Sequence, residues 1–228
     1  MGIVTMGVPQ EITVELARLR GATVFVETGT FHGGTTRWAS RHFDIVHTIE
    51  RAEKLYHMHS NELSRIKGVT PHFGDSRNIL PKIVRDIPDQ RAVFWLDGHW
   101  SGGETAGEDD ECPLLEELAC LSSRTEDIFL IDDARLFLGA PPLPYNPSQW
   151  PTISNIINVL PTSAKKQFVQ IVDDVIFIVP SEDALRNCLV EYAQNRANDF
   201  WNLHRNTPSL KSRLKTLSSR IRSRLKTG

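Results

Sequence analysis

Asp97, Gly98 and His99 stand together at the end of the apolar run AVFWL, and Asp132 and Asp133 close a second run, IFLI. Carboxylates drawn together repel one another strongly unless a cation is present. Hard oxygen donors of this kind suit Mg2+, with water or substrate completing the octahedron. Such an ion lowers the pKa of a coordinated hydroxyl, as it does for bound water, and the imidazole of His99 titrates near working pH and can take the proton. The expected metal ligands are Asp97, Asp132 and Asp133, and the expected base is His99. Plainer roles stand beside these. Asp132 or Asp133 can cap a turn or pair with Arg135, and His99 can be a fourth ligand or hold a neighbour by a hydrogen bond.

Such groups meet only if a sheet brings their strand ends to one edge. Short apolar runs at residues 23–28, 45–50, 69–75, 92–98 and 127–134 alternate with amphipathic stretches near 34–42, 52–66, 76–86 and 111–122. That alternation predicts an α/β fold with a mostly parallel sheet and helices on both faces. Residues 168–180 read as two strands turning at Asp173 and Asp174, an antiparallel hairpin, and a helix is expected over 182–203. Residues 139–151 hold five prolines and must form an irregular loop, after which Pro151 is expected to open the next helix. No internal repeat is present.

The first strand runs into FVETGTFHGGTTRW, a glycine-containing turn before a helix, where open α/β sheets bind cofactors. A dinucleotide fits poorly. Phe31 stands where the second glycine of the pyrophosphate motif belongs, and Glu27 faces the loop with a charge that repels phosphate. A cationic ligand without phosphate suits the loop better, and S-adenosylmethionine is one. Glu50, about twenty residues past the turn, can accept both ribose hydroxyls. Asp75 can accept from the adenine amino group, or simply cap the helix that Ser76 begins.

Through Glu27, Gly29, Gly33, Gly34, Glu50 and Asp75, residues 10–180 resemble the class I S-adenosylmethionine-dependent methyltransferases. The resemblance implies a Rossmann-like sheet of seven strands with the last hairpin reversed. It implies a donor site drawn from Glu27, Thr28, Gly29, Thr30, Gly33, Thr35, Glu50, Asp75, Ser76 and Asp97. FWLDGHWSGG, CPLLEEL and IDDARLF further resemble metal-dependent sugar O-methyltransferases related to the macrocin and aminocoumarin-sugar enzymes, and the rhamnosyl and polysaccharide O-methyltransferases. In the antibiotic-sugar enzymes an aspartate ending strand four and an aspartate pair after strand five hold the metal, and Asp97, Asp132 and Asp133 match them. Those enzymes carry a second aspartate where this chain has His99. The expected activity is Mg2+-dependent methylation of a hydroxyl on a sugar, oligosaccharide or polysaccharide. Alternatives are a catechol-like phenolic acceptor and a non-catalytic binding module of the same fold.

The glycine-rich, acidic stretch SGGETAGEDDE reads as a mobile lid, or its acids simply as solvated surface, and Trp100, Tyr145 and Trp150 read as stacking platforms for a sugar face or as packing residues. His57 and His59, two apart on a helix, read as surface residues. The 228 residues carry a net charge of −2. That balance conceals a basic tail: 205–228 has eight Lys or Arg and no acid, with Leu210, Leu214, Leu217, Ile221 and Leu225 at helical steps. One domain over 1–204 is expected, followed by an amphipathic tail that can meet an anionic membrane surface or a partner. Nucleic acid is not expected, since no aromatic interleaving accompanies the charge. A homodimer is. Three widely spaced cysteines give no disulfide framework, no apolar run approaches a bilayer span, and the start MGIVTMGVPQE lacks a leader's basic and apolar regions. A reducing cytoplasm is the expected setting.

Overall fold

The computed structural model describes residues 6–160 and 167–206. Seven strands, β1 (Val24–Thr28), β2 (Ile45–Glu50), β3 (Val69–Phe73), β4 (Ala92–Leu96), β5 (Ile128–Ile131), β6 (Gln167–Val172) and β7 (Val175–Pro180), form one sheet in the order β3-β2-β1-β4-β5-β7-β6. The first five strands are parallel, and β7 runs antiparallel to both β5 and β6. The hairpin turns at Asp173 and Asp174, as expected, and Asp173 takes a φ of 52° there.

Strand parity sorts the core. Val24, Val26, Phe94, Leu96, Phe129 and Ile131 face one side, where they pack on Leu80 and Ile83 of α4 (Ser76–Asp86), Leu114 and Leu118 of α5 (Leu114–Cys120), and Ile156 of α7 (Ile153–Val159). Phe25 has the opposite parity and meets Trp38 of α2 (Gly34–Ala39) edge-on, with ring centroids 5.8 Å apart. On that side α1 (Gln10–Arg20) buries Leu16, and α3 (Glu53–Leu63) buries Leu55 and Leu63. Strands β1, β4 and β5 are buried along their length, which matches the continuous apolar runs of a sheet centre covered on both faces.

Three expectations on elements change. Helix α1 was not anticipated. Strands predicted to reach residue 75, 98 or 134 stop earlier, because their terminal acids belong to the loops. Pro151 does not open α7; Thr152 is the N-cap, and its side chain and that of Asn155 form a capping box. The described chain divides into two compact units, the second starting at Glu191 inside α8 (Asp183–Asn206). Residues 207–228, most of the basic tail, lie outside the described residues. Among the described residues no helix is long and apolar enough to cross a membrane.

Candidate active site

The strand order reverses between β1 and β4, where the connections leave to opposite sides and open a crevice at the carboxyl edge. Gly29 and Gly98 meet there. Gly29 has a φ of 85°, and a Cβ on it would lie 2.2 Å from the Asp97 carbonyl oxygen. The register then carries the chemistry across the sheet. Asp97 N donates to the Thr28 carbonyl at 3.2 Å, and Asp132 N donates to the Leu96 carbonyl at 3.2 Å, so the two aspartates continue neighbouring strands.

A cavity of about 210 Å³ occupies the crevice, and its wall includes Gly29, Glu50, Asp75, Ser76, Asp97 and His99. Six expected site residues therefore share one pocket. Glu27, Thr28, Thr30, Gly33 and Thr35 do not line it; the threonines and Glu27 lie beneath the loop. Thr36 Oγ1 and Thr48 Oγ1 donate to Glu27 Oε2 at 2.5 and 2.8 Å, which leaves Thr30 to donate to Thr48. Glu27 is thus a buried brace for the loop rather than a group facing it. Burial pushes its carboxyl up to about 7, against the pull of the threonine hydroxyls.

That displacement has a sign. The native protein holds a proton on Glu27 between about pH 4.5 and 7 that the unfolded chain releases, so stability falls as pH rises through that window. Ionising a carboxyl moved from 4.5 to about 7 costs on the order of 3 kcal/mol. Glu27→Gln is expected to flatten the dependence of melting temperature on pH between 5 and 8. An unchanged slope would place the proton elsewhere.

Glu50 accepts from Phe31 N at Oε2 and from Ala52 N at Oε1, both at 2.8 Å, and each oxygen keeps a lone pair towards the cavity. Phe31 takes the left-handed conformation, φ 48°, so this phenylalanine adopts a backbone geometry usually left to glycine. Asp75 caps α4 through Arg77 N at 3.0 Å and binds the Arg77 side chain, whose hydrogen bonds hold its carboxyl below the usual range. Asp75 therefore caps the helix, as expected, and also lines the cavity. Arg51, which follows Glu50 directly, also lines the cavity.

At the other end, His99 is 8% exposed. Its Nδ1 lies 3.3 Å from both the Trp100 carbonyl oxygen and Ser101 Oγ; a hydrogen on Nδ1, which the carbonyl can accept, leaves the lone pair on Nε2. Nε2 has no hydrogen-bond partner and sits 3.4 Å from both Asp97 Oδ1 and Asp133 Oδ2. Burial lowers the pKa of His99 and keeps the imidazole neutral. Burial, with the charges of Asp132 and Asp133, raises Asp97 well above the carboxylate range, and Asp132 is pushed up to about 7 by burial and Asp133.

This donor set has the chemistry of a hard-cation site, because mutual repulsion of the carboxylates is what a divalent ion would relieve. Among the described residues, however, no three such side chains converge as a metal-binding group. His99 lies between Asp97 and Asp133, and Arg135 Nη1 holds Asp133 Oδ1 at 2.6 Å.

Three acids escaped the sequence reading. Asp174, at the hairpin turn, pairs with the Arg135 guanidinium and accepts from Arg135 N at 3.0 Å, which links β7 to the aspartate pair. Glu117 of α5 is buried, Oε1 lacks a partner, and burial pushes its carboxyl up to about 7. Its position was readable: Leu114, Glu117, Leu118 and Leu121 share one helical stripe, so this acid sits on an apolar face. Glu111 is buried beneath the expected platforms. Trp150 and Trp100 are only 7% and 9% exposed, and the Trp150 indole N–H is spent on Glu111. Only Tyr145, half-buried, remains open to a ligand. His32, exposed, and His59, half-buried, are bonded to each other at 3.1 Å.

No protein-family model and no curated protein matches this chain. Solved structures do. The O-methyltransferase TomG from Streptomyces achromogenes, involved in tomaymycin synthesis and solved with S-adenosylmethionine, superposes with a TM-score of 0.52 at 19% identity, over 78% of this chain and 82% of that one. An inferred caffeoyl-CoA O-methyltransferase from Staphylococcus aureus gives 0.51 at 13% identity, over 78% and 86%. An inferred O-methyltransferase from Klebsiella pneumoniae gives 0.50 at 15% identity, over 78% and 82%. The chain has the fold of the class I S-adenosylmethionine-dependent methyltransferases.

Proposed function

We propose that this protein is a Mg2+-dependent O-methyltransferase that moves a methyl group from S-adenosylmethionine to a hydroxyl of a sugar, oligosaccharide or polysaccharide. One observation supports the reading: a single cavity is lined by the acids Glu50 and Asp75 and by Asp97 and His99, whose buried Nε2 has no hydrogen-bond partner. The donor supplies an electrophilic methyl on a sulfonium, a cation that Asp97 and its neighbours suit and phosphate-binding loops do not. Glu50 accepts the ribose hydroxyls, Asp75 and Ser76 face the adenine, and Gly29 lets the donor pass close to the backbone.

His99 Nε2 takes the acceptor proton as the oxygen attacks the methyl carbon and the carbon–sulfur bond breaks, leaving S-adenosylhomocysteine. Held by Asp97, Asp132 and Asp133, Mg2+ would lower the pKa of the acceptor hydroxyl. Arg135, fixed by Asp174, sets the position of Asp133. A flat phenolic acceptor is the second reading, favoured by the aromatic wall in which Tyr145 packs against Trp100 and Trp150 at 5.7 and 5.2 Å. A reducing cytoplasm, supported by the odd number and wide spacing of the three cysteines, a homodimer, and contact of the 205–228 tail with an anionic membrane surface complete the proposal.

The test is transfer of labelled methyl to a panel of saccharides and catechols, with Mg2+ or with EDTA. Saccharides are expected to be labelled, and EDTA or Asp132→Ala to reduce the rate on the order of 100-fold, with Mg2+ restoring it only in wild type. Full activity in EDTA would remove the metal from the mechanism. Binding of the donor without transfer to any acceptor would leave the non-catalytic module.

A further inference from the structure

We propose that the neighbouring residues Asp110 and Glu111 form a clasp that ties the donor side of the cavity to the acceptor loop 139–151, with Glu111 as a positioning residue for the aromatic wall. The inference rests on the methyltransferase reading only for the identity of the two ligands. The connections themselves are geometric.

Asp110 points to the donor side. Its carboxylate pairs with the Arg77 guanidinium and lies 3.6 Å from Arg51 Nη1. Those two arginines also hold Asp75, at 2.6 and 3.7 Å, and Asp75 and Arg51 both line the cavity. Glu111 points the other way and is 3% exposed. Asn146 N donates to both of its carboxylate oxygens, at 2.9 and 3.0 Å, and Trp150 Nε1 donates to Oε2 at 2.5 Å. Its own N–H donates to Gln149 Oε1 at 2.8 Å, and its carbonyl accepts from Trp100 N at 2.7 Å.

Every polar group of Glu111 is therefore engaged, and all its partners belong to the walls around His99. Trp150, fixed this way, packs against the His99 ring at a tilt of 54° with centroids 5.2 Å apart. Residues 139–151 have little secondary structure of their own beyond a short 3-10 turn at Pro147–Gln149, so these bonds set where Tyr145 and Trp150 stand. A ligand that engages Asp75 and Arg51 changes the field on Arg77 and Asp110, and Glu111 is the next residue in the chain. Occupancy of the donor half is transmitted to the acceptor wall by this route, and by reciprocity an acceptor tightens the donor.

Hydrogen exchange with S-adenosylhomocysteine as the probe tests the clasp without any methyl transfer. In wild type the probe is expected to slow exchange at residues 145–150 by on the order of fivefold or more, the lower end of ordinary coupling. In Asp110→Asn, a change at a half-buried side chain that keeps the Glu111 bonds, the probe still binds by calorimetry but that slowing is lost. Glu111→Gln, which retains one acceptor oxygen, shows faster exchange at Asn146 and a smaller response. A merely structural role would speed exchange equally with and without the probe, which overturns the proposal. So does slowing that survives in both variants, or wild type that binds the probe with no change at 145–150. A wild type that binds no probe overturns the donor reading and the clasp together.

Discussion

Replacement of His99 by asparagine is expected to lower methyl transfer by about 100-fold or more, the usual range for loss of a positioned base, while the affinity for S-adenosylhomocysteine stays within about threefold. Asparagine can still offer a polar group to the Trp100 carbonyl, so the loop after β4 keeps its hydrogen bond. What disappears is the lone pair at Nε2, a buried nitrogen without a hydrogen-bond partner. The smaller side chain also leaves a gap beside Trp150, and on that account stability falls by about 1–3 kcal/mol. Separate measurement of single-turnover rate, product affinity and melting temperature keeps these effects apart. A rate loss under tenfold would make His99 a packing residue, and proton removal would have to be assigned to one of the carboxylates.

The burial of His99 could not be read from the sequence, yet its place could. AVFWL is apolar at every position, which predicts a strand covered on both faces, and such a strand must end at a polar edge. The structure stops β4 at Leu96 and leaves Asp97 and His99 on that edge. The same logic located Glu50 and Asp75. What stayed hidden depends on distant partners. Glu111 lies in GEDDE, where composition gives every acid the same solvated reading; its partners Asn146 and Trp150 are 35 and 39 residues away. Helix α1 has Ile12, Leu16 and Ala17 at helical spacing but starts from Pro9 without a side-chain cap, so its beginning carries no polar signal. Phe31 shows the limit from another side: its identity argued against a pyrophosphate loop, but nothing in the residue type reveals a φ of 48°.

The charge cluster also explains why the site needs so many braces. Asp97, Asp132 and Asp133 sit in a buried corner with His99 neutral, so the nearby positive charge within the chain comes from Arg135. Arg135 is shared with Asp174, whose side chain is buried at the hairpin turn. The antiparallel hairpin thereby does more than close the sheet edge: it fixes the cation that holds Asp133. Residual repulsion on Asp97 and Asp132 is left for a proton or a divalent ion to neutralise, and occupancy by one or the other is what the EDTA experiment distinguishes.

Gly29→Ala is expected to cost several kcal/mol of stability and to abolish donor binding, whereas Gly34→Ala, five residues on, is expected to stabilise the protein slightly. At position 29 a side chain must adopt a φ of 85°, worth about 1–2 kcal/mol for an L-residue. The added Cβ would also stand 2.2 Å from the Asp97 carbonyl oxygen, and a backbone atom cannot swing aside as a flexible side chain can. Relief requires the loop after β1 and the end of β4 to part, adding about 1–3 kcal/mol of overpacking strain. That movement shifts Asp97 and the donor loop at once, so both halves of the site fail together. Gly34 begins α2, and a Cβ there meets nothing within 4 Å, so alanine gains helix propensity of up to about 1 kcal/mol without a clash. Melting curves and calorimetric titration with S-adenosylhomocysteine on the two variants decide the matter. If Gly29→Ala bound the product like wild type, the crevice between β1 and β4 would not be the donor site, and the cavity that joins Glu50 to His99 would need another occupant.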